Sequence, residues 1–394
     1  MPISNKINEN LANASWIRLM FEEGERLRKI TGPENVYDFT LGNPDTEPPP
    51  AFREMLKKLA DNPLPGMHGY MSNSGYETTR QAIAANLTEK TGLPLDSSHI
   101  IMTCGAGGGL NVVLKTILNP GDEVIVLVPY FVEYKFYVDN HNGIIKEVRT
   151  GADFQPDIDA IGAAITSKTK AIIINSPNNP TGVVYSSDCL KELAAVLKQK
   201  ETELGTTIYL VSDEPYARII YDGVKAPPIF NYVTNSILVT SHSKDLGLAG
   251  ERIGYIAVHP QAADAGLLIE GMIFCNRTLG FVNAPALMQR LVAHLQKEQV
   301  NLSGYLEKRD LLYTHLTKIG FKMVKPQGAF YMFPQSPLAD DLEFIQTAKK
   351  YNILLVPGKG FGLKGFFRLS YSVPRQTVIN SLPAFTDLAK EVGL

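Results

Sequence analysis

Cysteine is scarce: Cys104, Cys189 and Cys275 are the only three in 394 residues. They are odd in number, far apart and never spaced as CxxC. That excludes a disulfide framework or zinc ribbon and suits a reducing compartment. Charge of one sign is not in excess either, with 38 Lys+Arg against 40 Asp+Glu. Without a basic surplus to neutralise phosphates, nucleic acid is not an expected partner. The seven histidines show no HxxxH or HExxH spacing, so no metal site is expected. Long apolar runs are also missing. The most apolar stretch, 124–132, is too short to span a bilayer and contains Pro129. Residues 1–28 carry Glu22, Glu23 and Glu25 and lack the apolar core of a secretory signal. These absences point to a cytoplasmic enzyme with no membrane partner.

Between residues 96 and 260 one theme repeats: a short β-branched run, a polar or glycine-rich turn, then a helical pattern. The runs 99–103, 123–128, 144–148, 171–175, 207–212, 237–240 and 253–258 are the expected strands. Ala171, Ile172, Ile173 and Ile174 are apolar on consecutive residues, as a parallel sheet covered on both faces requires. Leu190, Leu193, Ala194 and Leu197 recur at helical spacing behind Ser187, the expected N-cap. The alternation predicts an α/β domain with a mainly parallel seven-stranded sheet. After residue 261 a long helix over 287–316 is expected. Shorter segments at 321–324, 329–333, 353–356 and 366–371 and helices near 341–351 and from 376 suggest a smaller α+β domain. The reading divides the chain into a large domain, 48–285, and a small one built from 1–47 and 286–394. The run Pro48-Pro49-Pro50 would be a rigid crossing between them.

In open parallel sheets ligands bind outside the carboxyl ends of the strands. Those positions hold Gly105-Ala106-Gly107-Gly108-Gly109, Tyr130-Phe131, Ser176–Gly182, Asp213-Glu214-Pro215-Tyr216, and Ser241-His242-Ser243-Lys244 with Arg252 beyond. A glycine-rich turn entering a helix offers free N–H groups to a phosphate. The turn has neither the GK[ST] of a P-loop nor the last glycine of GxGxxG, where Leu110 stands. An ammonium has no structural duty at a sheet end. Lys244, beside Asp213, a phosphate cradle and Arg252, is therefore a candidate Schiff-base nucleophile.

Taken together, Gly42-Asn43-Pro44-Asp45, Asn175–Gly182 (NSPNNPTG), DEPY at 213–216, SHSK at 241–244 with Arg252, and FRLS at 367–370 resemble the class I/II aminotransferases. These are pyridoxal-phosphate enzymes of fold type I, in the aspartate aminotransferase superfamily. The resemblance covers nearly the whole chain, with the motifs in order. It implies that Lys244 forms a Schiff base with pyridoxal 5′-phosphate and carries a proton, and that Asp213 pairs with the pyridine nitrogen. Asn179 and Tyr216 would bond the ring's 3-oxygen. Gly105, Ala106, Gly107, Ser241 and Arg252 would hold the phosphate. Phe131 would stack on the ring, with Tyr130 as the alternative. Tyr70 would reach the phosphate of a neighbouring subunit, making a homodimer with shared sites. Arg368 would clamp the substrate carboxylate with help from Asn179, and Gly42 would let the backbone approach the substrate.

The resemblance implies transfer of an amino group from an L-amino acid to a 2-oxo acid, with 2-oxoglutarate the expected acceptor, by a ping-pong mechanism. A C–S β-lyase of the same fold is the alternative. The resemblance leaves the donor open. One bacterial branch that uses aspartate has a lysine where Gly107 stands, and Arg277 is the candidate replacement cation. Tyr70, Tyr130, Phe131, Tyr134 and Phe361 would also suit an aromatic or large apolar donor. His242 is expected to turn away from the cofactor, Trp16 to make a packing or dimer contact, and Cys104 to be an inert residue of a buried strand. The loop 358–362 is read as a structural turn.

Overall fold

The computed structural model describes residues 2–12 and 16–394. Its strands, in chain order, are β1 (Tyr37–Asp38), β2 (Ile100–Thr103), β3 (Glu123–Val128), β4 (Ile144–Arg149), β5 (Thr169–Asn175), β6 (Tyr209–Asp213), β7 (Ser236–Ser241), β8 (Gly254–Val258), β9 (Tyr331–Met332), β10 (Ile353–Leu354), β11 (Val356–Pro357) and β12 (Phe367–Ser370). Seven of them form one sheet in the order β2-β8-β7-β6-β5-β3-β4, parallel except at β8. All seven expected strands are present. The central ones bury both faces, and this is why they read as unbroken apolar runs. β4 lies at an edge and is polar and half-exposed.

Helices cover both faces of this sheet, giving two apolar layers. The helix Gly105–Ile117 runs back from the end of β2 against β7 and β8. In the helix Ser187–Leu204 the cap is Ser186, not Ser187. The Oγ of Ser186 accepts from the N–H of Cys189 (3.1 Å), and Gly205 ends the helix at φ 62°.

A separate apolar cluster gathers Phe39, Phe330, Phe344, Phe367 and Phe385 around the antiparallel trio β11-β12-β9. The N-terminal segment joins it, because β1 pairs in parallel with β10. The helix expected over 287–316 is broken, with Ala286–Ala293 and Ser303–Lys318 formed and 294–302 irregular. The reason is distant in sequence. Arg218 donates to the carbonyls of Gln296 and Glu298, and the N–H of Val300 donates to Asp245. Residues 321–324 join no strand, and 329–333 contributes only Tyr331–Met332. The helix Ala286–Ala293 packs on Glu77–Thr91 and Pro50–Asp61, so Met288, Leu291 and Val292 share the large sheet's core.

Candidate active site

β2, β5, β6 and β7 point the same way, so their carboxyl ends meet at one edge of the sheet. A cavity of about 310 Å³ opens there, and its wall includes Gly42, Ala106, Asn179, Tyr216, Lys244 and Arg368. Gly107, Phe131, Asp213, Ser241 and Arg252 line it as well. Residues distant in sequence therefore meet in one place.

Asp213 ends β6 and is fully buried. Its Oδ2 accepts from the hydroxyl of Tyr134 (2.6 Å), and its Oδ1 is buried with no partner. Burial pushes the carboxyl up to about 7, and only the Tyr134 hydrogen bond opposes it. Asn175 fixes the strand end: its amide donates to the Asp213 carbonyl (2.8 Å), and its Oδ1 accepts the Asn179 N–H (2.7 Å).

Lys244 follows β7 on the one-turn helix His242–Asp245. Its Nζ donates to the Gly42 carbonyl (2.6 Å). Burial, then the positive charges of Arg368 and Arg252, bring its pKa down to about 8. Gly42 cannot be replaced cheaply, since a Cβ there would lie 1.8 Å from the Tyr331 hydroxyl.

The turn after β2 begins at Gly105, with φ +71° and a would-be Cβ 2.8 Å from the Arg252 guanidinium. Arg252 itself holds a left-handed backbone (φ 52°) and donates to Ala249 (2.9 Å). Arg252, Ser241 and the N-terminus of the helix Gly105–Ile117 thus supply a cation, a hydroxyl and free amides to an anion.

Arg368 on β12 is fully buried. It donates to Asn179 Oδ1 (3.1 Å) and to the Thr40 carbonyl, while its Nε has no partner. The guanidinium carbon lies 4.7 Å from the Tyr331 ring centroid and 4.8 Å from that of Phe361. The Tyr216 hydroxyl meets that of Tyr331 (3.0 Å).

Some expected residues lie elsewhere. Tyr70 is 93% exposed and off the cavity wall of its own chain. Tyr130 donates to Glu147 (2.6 Å) and does not line the cavity, whereas Phe131 does. Of the aromatic group expected to favour an aromatic donor, only Phe131 lines the cavity. Arg277 is exposed on the helix Ala265–Thr278 and outside the cavity, against Phe274. Cys104 lies just past β2 rather than within it, and burial raises its thiol pKa. His242 is absent from the wall of this cavity. The turn 358–362 packs against its own backbone, where a Cβ on Gly358 would meet the Leu363 carbonyl at 2.3 Å. Trp16 begins a described helix, but its side chain lies outside the described residues. Tyr137 and Tyr331 also line the cavity and were not singled out from sequence, and Asn175 was named there only as the first residue of NSPNNPTG. The spacing of Tyr137 from Tyr134, one helical turn, was the available signal for that residue.

The donor set fits a phosphorylated pyridine aldehyde: an amine of lowered pKa, an orphan carboxylate oxygen and an anion cradle in one cavity. Among the described residues no group of three or more His, Cys, Asp and Glu could hold a metal, and no helix is long and apolar enough to cross a membrane.

The family model described as "Aminotransferase class I and II" matches residues 34–384. A probable aspartate aminotransferase of Methanocaldococcus jannaschii is 33% identical over 355 residues, 87% of this chain and 90% of that protein. An amino transferase from Eubacterium rectale superposes with a TM-score of 0.96 at 38% identity, covering 100% of both chains. The aspartate aminotransferase of Thermus thermophilus, solved with maleate, gives 0.84 at 28% identity, over 95% of this chain and 97% of that one.

Proposed function

The chain belongs to the class I and II aminotransferase family, and from that premise we propose that it moves an α-amino group between an L-amino acid and a 2-oxo acid with pyridoxal 5′-phosphate held at Lys244. The observation that carries this reading is the presence on one cavity wall of a half-buried Lys244 and a buried Asp213 whose Oδ1 has no partner. Bound there, the cofactor supplies an electron sink for the pair left behind when the amino acid loses its Cα proton. Asp213 Oδ1 would hold the ring nitrogen's proton, and Asn179 and Tyr216 the ring's 3-oxygen. Ser241, Arg252 and the amides of Gly105, Ala106 and Gly107 would hold the phosphate, with Phe131 against the ring. Arg368, clamped by Asn179 and Thr40, would take the substrate carboxylate bidentately. The Nζ of Lys244, partly neutral near pH 8, would move the proton to and from Cα.

Lys244, Arg252 and Arg368 are the cations of the described cavity wall, and each has a duty. The distal carboxylate of a dicarboxylic substrate needs another. Arg277 would supply it only across a subunit interface, as Tyr70 would reach the phosphate. We accordingly propose a homodimer with shared sites. We propose 2-oxoglutarate as acceptor, and the unpaired cysteines support a cytoplasmic location. We propose the division into a large unit, 48–285, and a small one, 1–47 and 286–394, with the helix Ala286–Ala293 packed onto the large unit's core.

Replacing Lys244 by Ala tests the reading. The variant keeps the circular dichroism of the parent and loses transamination from a panel of L-amino acids to 2-oxoglutarate. Retained turnover would contradict it.

A further inference from the structure

Alternation along β5, β6 and β7 sends Asn175, Asp213 and Ser241 to the catalytic cavity. It sends Ile174, Ser212, Leu238 and Thr240 to the other face of the sheet. There a second cavity opens, of about 420 Å³. Apolar side chains, Ile174, Leu190, Ile229 and Leu238 among them, make most of its wall. Two side chains in it keep a buried atom without a partner, and a third, Glu214, makes a single side-chain hydrogen bond. Glu214 accepts from Ser212 Oγ (2.8 Å) and has no ion-pair partner among the described residues. His242, its side chain 5% exposed, approaches Asp245 Oδ2 through Nδ1 (3.3 Å), while its Nε2 is buried without a partner. Asp245 Oδ1 is likewise buried and unpartnered. Arg218 stands nearby, but its guanidinium is directed to the Gln296 and Glu298 carbonyls and lies 4.0 Å from Asp245. Lys90 is an exposed wall residue with no ion-pair partner among the described residues.

Glu214 and Asp245 are half-buried, Glu214 makes no ion pair among the described residues and Asp245 meets Arg218 only at 4.0 Å, so both carboxylates keep capacity for a further cationic donor. Burial raises Glu214 to about 7. The charges of the wall are graded: the carboxylates of Glu214 and Asp245 are half-buried, and the ammonium groups of Lys90 and Lys225 are exposed. That is the complement of a small zwitterion with a greasy side chain.

We propose that this cavity is a second binding site, for a free L-amino acid with an apolar side chain, whose ammonium is taken by Glu214 and Asp245 and whose carboxylate is taken by Lys90. Such a ligand sits one residue along the chain from Asp213, on the opposite face of the sheet. The site stands independently of the chemistry proposed for Lys244.

Equilibrium dialysis of the holoenzyme with labelled α-methyl-L-phenylalanine tests it, because that probe has no Cα proton to lose and is not turned over. Binding is expected to survive Arg368→Ala, which disables the catalytic carboxylate clamp. It is expected to weaken at least about tenfold in Glu214→Gln, the scale of one lost charged contact. Ala226→Trp, on the half-exposed loop lining the cavity, should block it without touching either sheet core. Loss of all binding in Arg368→Ala, with native circular dichroism, would overturn the proposal. So would binding unchanged in both Glu214→Gln and Ala226→Trp.

Discussion

Lys244 and Asp213 line one cavity, and burial moves each toward its neutral form. Asp213 therefore costs stability until something pairs with it. Its folded pKa, about 7, lies above the ordinary carboxyl value of 3.8. The stability this group contributes is full below about pH 4 and is lost as pH rises through 7. Asp213→Asn should thus stabilise the cofactor-free protein above pH 7, by about 4 kcal/mol at most, with the gain closing toward pH 4. Denaturant melts of both proteins across that range check it. The same substitution should lower kcat of the holoenzyme by about 10²–10³, the scale for losing one preorganised charge contact. Arg368 offers a separate handle. Arg368→Ala should weaken amino-acid binding by about 2–5 kcal/mol, and Arg368→Lys should restore little, because the fork and not the charge alone matches a carboxylate. Substrate titration of the two variants distinguishes these outcomes.

At the scale of elements, turns bring the site together. Gly105 sits at φ +71° with Arg252 where a Cβ would go. Gly105→Ala should displace the guanidinium and weaken cofactor retention, measured by dialysis and reconstitution, with the melting temperature less affected. The sheet was legible in the sequence because its central strands are covered on both faces and read as unbroken apolar runs. Asp213 was legible because it stands directly after such a run, and Lys244 and Arg252 because they lie in the turn between two of them. The break at 294–302 was not, since Arg218, far away in the chain, draws the Gln296 and Glu298 carbonyls out of helical pairing. Tyr331 was hidden inside an apolar segment, and its place at the site depends on β9 pairing with β12. The choice between Ser186 and Ser187 as cap rests on one side-chain bond.

For the whole molecule, the account requires two chains. Tyr70, 93% exposed in a single chain, has no packing role there. Sedimentation should give a dimer, and Tyr70→Phe should weaken cofactor binding several-fold, as loss of one hydrogen bond of about 0.5–1.5 kcal/mol would. A monomer that holds cofactor as tightly as the parent would contradict the shared site. The most direct test of the central claim is a spectral titration of the purified protein with L-amino acids and no acceptor. The account predicts a visible absorption band from cofactor bound at Lys244, bleached once per chain by a good donor and restored by 2-oxoglutarate. A band that persists while pyruvate and ammonia accumulate would indicate β-lyase chemistry instead. No band even after adding pyridoxal 5′-phosphate would contradict the assignment of Lys244.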